Sequence, residues 1–111
     1  MGNRDSPIVY ICSPYSGDVE HNTLTARRYS RYATEQGCVA LAPQLLLPQY
    51  ISEETERDLA LNAGLRLLDM CQELWVCGDR ISEGMKREIE YAHATGIPVR
   101  YVKEGETNVC D

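Results

Sequence analysis

Short apolar segments alternate with helical stretches along this chain, and this alternation constrains the fold more than any other feature. The apolar segments are Ile8–Cys12 and residues 39–42, 74–77 and 98–102. Each is short and bounded by turn residues or proline, which is typical of buried strands. Helical apolar spacing predicts helices over residues 19–36, 52–71 and 82–95. Strands and helices in this order predict a three-layer α/β/α sandwich with a mostly parallel sheet of four or five strands.

Two finer expectations concern the faces and ends of these helices. In the first helix we expect Leu24, Ala26, Tyr29 and Ala33 to face the core, and in the second Leu61, Leu65 and Leu68. Gly37 and Gly96 follow the first and last helices, where a left-handed residue commonly stops a helix.

The length and charge of the chain limit the classes of protein to which it can belong. Its 111 residues predict one domain over residues 1–111, with a core at 8–102. A net charge of −6 opposes binding to a nucleic-acid polymer. No apolar run approaches the ~20 residues that span a bilayer, and no export signal is evident, so we expect a cytoplasmic protein without a membrane partner.

The cysteines indicate neither disulfides nor a metal site. Their number is odd, no CxxC pair occurs, and most lie in or beside apolar stretches, which predicts reduced core residues. We expect no metal and no cofactor. The five are Cys12, Cys38, Cys71, Cys77 and Cys110.

Ligands of parallel α/β sheets bind beyond the carboxyl ends of the strands, at the point where strand order reverses. Three segments fall at that edge: residues 13–18, 43–50 and 78–84. The first lacks the GxGxxG dinucleotide fingerprint, but it carries groups suited to a phosphate or ribose. These candidate binding residues are Ser13, Tyr15, Ser16, Gly17 and Asp18.

The start of the last helix is a second candidate for ligand binding. Ser82 is a predicted N-cap, and Gly84 in the first turn lets an anion approach the backbone N–H groups. The neighbouring Asp79 and Met85 complete this set of candidate contacts. The alternative is that Ser82 only caps the helix.

Glu88 and Tyr10 are the candidates for chemistry. Glu88 borders the apolar stripe of Met85, Ile89 and Ala92, and a carboxylate there can serve as nucleophile or general base. The alternative is that Glu88 lies at the rim of the cleft and forms a salt bridge with an Arg or Lys. Tyr10 lies mid-strand; its hydroxyl either aims into the cleft or belongs to the core.

Two motifs carry a resemblance to a known family. The chain reads Val9-Tyr10-Ile11-Cys12 before its polar loop, and Ser82-x-Gly84-x-x-x-Glu88-Ile89-x-Tyr91-Ala92 later. This resembles the nucleoside 2-deoxyribosyltransferase superfamily, which includes 2'-deoxynucleoside 5'-monophosphate N-glycosidases. Over residues 8–102 the chain is similar to small uncharacterised bacterial and phage proteins of that superfamily. The resemblance implies a Rossmann- or flavodoxin-like fold.

The resemblance also implies roles for individual residues. Glu88 falls on the family's nucleophile, which attacks C1' of the deoxyribose and forms a covalent glycosyl-enzyme. Tyr10 falls on the tyrosine that orients that carboxylate. Ser82 and Gly84 match the hydrolases' Ser-x-Gly, which receives the 5'-phosphate, so a nucleotide is favoured over a nucleoside. A homodimer or higher homo-oligomer is expected, with residues 45–50 as its contact.

One position departs from the family pattern. Gly64 stands where the family has a second catalytic Asp, with Asp79 or Glu83 as conceivable substitutes. Three functions therefore stay open. The first is an N-glycosidase or deoxyribosyltransferase-like enzyme acting on a (deoxy)nucleotide. The others are a non-catalytic nucleotide-binding or sensor module and a structural oligomerisation domain.

Overall fold

The computed structural model describes residues 5–107 and contains one four-stranded parallel sheet with helices on both faces. The strands are β1 Ile8–Cys12, β2 Val39–Leu41, β3 Glu73–Cys77 and β4 Val99–Val102. The helices are α1 Val19–Glu35, α2 Pro43–Leu46, α3 Arg57–Leu68 and α4 Glu83–Thr95, with 3₁₀ turns at Leu47–Gln49 and Glu104–Thr107. This architecture confirms the predicted α/β class and parallel sheet.

The strand order β2-β1-β3-β4 places the reversal of the sheet between β1 and β3. The chain runs from β1 outward to β2, then crosses back to pair β3 with the other side of β1. Tyr10 lies at the centre of the sheet, opposite Leu41 on one side and Leu74 on the other. The loops that follow β1 and β3 therefore diverge at the edge where such sheets bind ligands.

The alternation of side chains along β1 divides the core into two clusters. Val9 and Ile11 pack with Tyr29 of α1 on one face of the sheet. Tyr10 and Cys12 pack on the opposite face with the buried side chains of α3 and α4. Successive strand residues point to opposite faces, so this period of two brings Tyr10 and Cys12 to the same side as α4.

The ends of α4 follow the predicted signals. The Ser82 hydroxyl accepts a hydrogen bond from the Met85 backbone N–H at 3.3 Å, which is the interaction of an N-cap. Gly96 ends the helix at φ +79°, and Gly37 follows α1 at φ +86°. Both glycines adopt the left-handed conformation that stops a helix at little steric cost.

The predicted start of the third helix at residue 52 is wrong, because α3 begins at Arg57. The preceding residues form a turn closed by reciprocal hydrogen bonds. The Ser52 hydroxyl accepts from the Thr55 backbone N–H at 3.2 Å, and the Glu56 carboxylate accepts from the Ser52 backbone N–H at 2.9 Å. These bonds satisfy the local backbone in a turn conformation, as a capping box does at a helix start.

The predicted core face of α1 is wrong at Leu24, whose side chain is 53% exposed. Asn22 is buried instead, at 6% exposure. Its amide donates hydrogen bonds to the carbonyls of Tyr15 and Ser16 at 3.1 and 3.0 Å. The polar residue turns inward because it satisfies the backbone of the β1–α1 loop.

The apolar segment after β2 folds as α2 and a 3₁₀ turn. Leu47 is buried, whereas Leu46 is 39% and Tyr50 is 67% exposed. The expectation that this segment contacts another subunit stays a prediction.

Four cysteines are free, and Cys110 lies outside the described residues. Burial raises the pKa of Cys71 to about 11 and that of Cys77 to about 12, so both are protonated thiols at neutral pH. Among residues 5–107, no helix has the length and apolar character of a membrane span. No group of three potential metal ligands gathers there either.

Candidate active site

A cavity of about 190 Å³ opens at the carboxyl end of β1. The β1–α1 loop, the α2 segment, one face of α3 and the first turns of α4 form its walls. The lining residues are Tyr10, Ser13, Tyr15, Ser16, Pro43, Gln44, Leu47, Glu53, Arg57, Ala60, Leu61, Gly64, Ser82, Glu83, Gly84, Arg87 and Glu88.

A short hydrogen bond joins Tyr10 and Glu88 at the base of this cavity. The Tyr10 hydroxyl donates to Glu88 Oε2 at 2.6 Å, and Tyr10 is fully buried. Burial raises the pKa of Tyr10 well above its usual value, and the negative charge of Glu88 raises it further. The phenol therefore keeps its proton and acts as a donor to the carboxylate.

Cys12 provides a second donor to the same carboxylate. Its thiol lies 3.3 Å from Glu88 Oε1, and burial followed by the charge of Glu88 raises the Cys12 pKa well above its usual value. Cys12 thus remains a thiol that donates to the oxygen Tyr10 does not contact. Two buried strand side chains hold both oxygens of Glu88 and fix the orientation of its carboxylate.

The electrostatic environment of Glu88 contains opposing effects. Burial raises its pKa, the hydrogen bonds from Tyr10 and Cys12 lower it, and the charge of Glu53 raises it again. The net result is a raised pKa, because desolvation is the largest of these effects. Within residues 5–107 Glu88 has no Arg or Lys at ion-pair distance, so the alternative of a salt-bridged rim glutamate does not describe it.

Gly64 brings α3 against the Tyr10–Glu88 pair. A Cβ atom on Gly64 would lie 3.1 Å from the Tyr10 hydroxyl and 3.7 Å from Glu88 Oε2. The first distance is shorter than ordinary van der Waals contact, so a side chain here requires the pair to move. The position to which the resemblance assigns a family Asp therefore faces this carboxylate but carries no side chain.

Two arginines line the cavity without a protein partner. Arg57, in the first turn of α3, and Arg87, in α4, are both exposed, and neither makes a hydrogen bond or ion pair within the described part of the chain. Ser82 and Gly84 line the wall at the α4 N-terminus, where the helix dipole favours an anion. Arg57, Arg87 and the α4 N-terminus form the positive part of a lining that also carries Glu53, Glu83 and Glu88, and we call this part the positive wall.

The structure brings most of the predicted site residues to the cavity wall. Those that line it are Tyr10, Ser13, Tyr15, Ser16, Ser82, Gly84 and Glu88. Their side chains come from a strand, a loop and a helix start that the sheet topology draws together.

Four predicted contacts lie elsewhere. Asp18 caps α1 and accepts from the His21 backbone N–H at 3.1 Å, and Gly17 beside it turns at φ +99°. Met85 is buried in the core at 2% exposure. Asp79 lies in the turn after β3, where its charge acts on Tyr29 on the α1 side of the sheet. None of these four residues lines the cavity, and their contact with a ligand stays a prediction.

Several lining residues were not predicted. Gln44 donates to the Ser13 hydroxyl at 2.5 Å and so ties α2 to the β1 loop. Arg57 shares a helix face with Gly64, a spacing that the predicted helix over residues 52–71 already contained. Glu53 lies in the turn that was predicted as helix, and Arg87 lies one residue before Glu88 on α4.

Comparisons with solved structures define the class to which this fold belongs. The chain is similar to a 2-deoxyribosyltransferase from Bacillus psychrosaccharolyticus, with a TM-score of 0.70 and 14% identity over 86% of this chain and 72% of that one. A 2-deoxyribosyltransferase from Leishmania mexicana gives a TM-score of 0.65 and 16% identity over 87% of this chain. The alignment spans 64% of the Leishmania chain, less than two thirds of its length. At these identities the likeness shows a deoxyribosyltransferase-like fold.

The chain belongs to the family described as Domain of unknown function (DUF7768), whose model matches residues 7–102. No curated protein matches it in sequence. The predicted relation to deoxyribosyltransferases is therefore confirmed at the level of the fold.

Proposed function

We propose that this chain cleaves or transfers the N-glycosidic bond of a (deoxy)nucleotide, with Glu88 as the nucleophile. The observation that carries the proposal is a carboxylate whose two oxygens are held by Tyr10 at 2.6 Å and Cys12 at 3.3 Å, on the wall of a cavity. A fold similar to proteins named 2-deoxyribosyltransferases supports the choice of substrate class.

The proposed reaction has two steps. A Glu88 oxygen attacks C1' of the sugar, the C1'–N bond breaks, and the base leaves with that electron pair and gains a proton. Water or a second base then attacks C1', and the electron pair of the ester bond returns to Glu88. Two displacements at one carbon retain its configuration, as in retaining glycosidases.

The hydrogen bonds to Glu88 suit this role. The nucleophile must be ionised, and burial opposes ionisation by raising the Glu88 pKa. The donors Tyr10 and Cys12 act in the opposite direction and also fix the direction of attack. A positioned carboxylate reduces the loss of orientational freedom on reaching the transition state.

The positive wall favours a nucleotide over a nucleoside. Arg57, Arg87 and the α4 N-terminus at Ser82 and Gly84 line the same cavity as Glu88. Charged hydrogen bonds from arginine match phosphate geometry, and a helix N-terminus adds a favourable dipole. A 5'-phosphate is the group of a nucleotide that such a wall would receive.

The direct test is base release from a panel of 2'-deoxynucleoside and ribonucleoside 5'-monophosphates and the matching nucleosides. We expect wild type to release base and Glu88→Gln to lose roughly 10³-fold or more of that activity. Glu90→Gln, an exposed carboxylate on the same helix, is the matched control. Equal rates in wild type and Glu88→Gln contradict the proposal.

A second candidate function is a non-catalytic nucleotide-binding module. It is favoured by Gly64, which leaves the position assigned to a catalytic acid without a side chain. It predicts that a nucleotide raises the melting temperature of both wild type and Glu88→Gln, without base release. Ligand at a hundred times its Kd stabilises a protein by about 2.7 kcal/mol, which is readily measured.

We also propose a homo-oligomer in which the exposed Leu46 and Tyr50 contact a second copy. These side chains lie on the segment that forms one wall of the cavity. Sedimentation of wild type and Tyr50→Glu tests this, and a wild-type protein that sediments as a monomer contradicts it.

A further inference from the structure

The proposed reaction needs a group that gives a proton to the departing base, and Gly64 cannot supply one. We propose that Glu53 is this general acid and that it then serves as the base that activates water. This inference rests on the proposed function and assigns a second catalytic residue to the same site.

Glu53 is held at the cavity wall by the turn before α3. The flanking residue Ser52 accepts from the Thr55 backbone N–H at 3.2 Å, and its own N–H donates to the Glu56 carboxylate at 2.9 Å. The Glu56 backbone N–H donates back to the Ser52 carbonyl at 2.9 Å. This closed turn fixes the backbone on both sides of Glu53, whose side chain lines the cavity together with Glu88.

The carboxylate of Glu53 is available for chemistry. It makes no hydrogen bond or ion pair to any other residue in the described range 5–107. The other acids considered are engaged or distant: Glu83 pairs with Lys86 at 3.2 Å, and Asp79 does not line the cavity. Glu53 is therefore the unengaged carboxyl group that shares this cavity with Glu88.

The charges of the two carboxylates interact. Ionised Glu53 raises the pKa of Glu88, which places the two groups within electrostatic reach of each other. When Glu88 becomes a glycosyl ester it loses its charge, and the repulsion between the two groups disappears.

The proton balance closes over the two steps. The first step starts from the form of the pair in which Glu88 is ionised and Glu53 holds the proton. Glu88 bonds to C1', the C1'–N bond breaks, and the base takes the Glu53 proton together with that electron pair. In the second, Glu53 removes a proton from water, the oxygen bonds to C1', and the ester electrons return to Glu88. The net reaction consumes one water and returns both carboxyl groups to their initial states.

The experiment compares Glu53→Gln with the matched control Glu54→Gln, whose exposed carboxylate lies outside the cavity lining. Each variant is assayed on the best nucleotide of the panel and on its analogue with a better leaving base. For a purine this is the N7-methyl nucleotide, whose cationic base departs without a proton. For a pyrimidine it is the 5-fluoro nucleotide.

We expect Glu53→Gln to slow base release from the ordinary nucleotide by ~10²–10⁴-fold, the usual contribution of a general acid. With the activated analogue, its first turnover proceeds near the wild-type rate and the reaction then stalls. Azide, which attacks C1' without losing a proton, restores turnover. Glu54→Gln behaves as wild type on both substrates.

Three outcomes overturn the inference while leaving Glu88 as nucleophile. These are wild-type rates in Glu53→Gln, equal losses on both substrates, and no response to azide in a variant whose melting temperature equals that of wild type. Failure of the proposed function is recognised separately, because wild-type protein would then release no base from any nucleotide in the panel.

Discussion

The Tyr10 hydroxyl lies 2.6 Å from Glu88 Oε2, a hydrogen bond that spans 78 positions of the sequence. It links the middle of the central strand β1 to the second turn of α4. Cys12, two residues further along β1, contacts the other carboxylate oxygen. One strand face therefore holds both oxygens of the carboxylate.

Replacing Tyr10 by Phe keeps the ring in the core and removes the donor to Glu88. Hydrogen bonds to charged groups contribute about 1.5–3 kcal/mol, so we expect the rate of base release to fall roughly tenfold to a hundredfold. The Tyr10 bond lowers the Glu88 pKa, so its loss moves the acidic limb of the kcat/KM profile to higher pH. Tyr32→Phe, on the opposite face of the sheet, is the control, and an unshifted limb contradicts the assignment.

Gly64→Ala tests the close approach of α3 to the pair. The new Cβ meets the Tyr10 hydroxyl at 3.1 Å, so we expect Tyr10 to shift from Glu88 and base release to fall at least tenfold. Alanine favours the helix over glycine by about 1 kcal/mol, which offsets the strain and keeps the protein folded. Gly64→Asp brings the same Cβ and a second negative charge, so it is also expected to lose activity. Asn62→Ala on the same helix is the control, and higher activity in either Gly64 variant refutes this explanation.

Glu88→Gln is expected to change how the stability of the folded protein depends on pH. Because burial raises the Glu88 pKa, the stability this group contributes is fully present below the ordinary carboxyl value near 4.5 and is lost as pH rises through the raised value. Glu88→Gln removes this loss of folding free energy, which is about 1.4 kcal/mol for each unit by which folding raises the Glu88 pKa. Its melting temperature should exceed that of wild type at pH 8 and converge with it at pH 4, whereas Glu90→Gln shows no such trend. A variant that is less stable at pH 8 contradicts the sign.

Arg87→Ala and Arg57→Ala test the positive wall. Loss of a charged hydrogen bond to phosphate costs about 1.5–3 kcal/mol, so we expect KM for a 5'-monophosphate to rise roughly tenfold or more. The rate with the matching nucleoside should not change, since it lacks the phosphate. Arg31→Ala, whose side chain pairs with Glu35 on α1, serves as the control. Equal changes in KM for the nucleotide and the nucleoside would show that neither arginine binds the phosphate.

Tyr29→Phe concerns a buried hydroxyl on the other face of the sheet. Within the described residues the Tyr29 hydroxyl has no hydrogen-bond partner, and burial raises the pKa of this phenol to about 12. An unsatisfied buried polar group costs about 1–3 kcal/mol, so removing it should stabilise the protein by about 1 kcal/mol. Thermal unfolding measures the gain, with the exposed Tyr101→Phe as a neutral reference. A drop in melting temperature reveals a partner for this hydroxyl.

The order of strands and helices was predictable because it depends on local patterns. The apolar run at Ile8–Cys12, the cap at Ser82 and the stop at Gly96 each act within a few residues, and each appears in the structure as expected. The start of α3 was not predictable from periodicity, since reciprocal hydrogen bonds around Ser52 hold a turn where the pattern continues. The burial of Asn22 likewise depends on carbonyls that only the folded loop presents.

From the sequence alone, the helix period placed Glu88 at the border of an apolar stripe, and the resemblance implied that Tyr10 orients it, while the direction of the Tyr10 hydroxyl stayed open. Only the tertiary structure decided that they touch, that Cys12 joins them, and that Gly64 lies so close that a Cβ there would displace the Tyr10 hydroxyl. It also decided which polar residues share the cavity, bringing Glu53, Arg57 and Arg87 to it and leaving Asp18 and Asp79 outside. The physical reason is that these distances depend on how α3 and α4 pack against one sheet face, a relation between segments far apart in the chain.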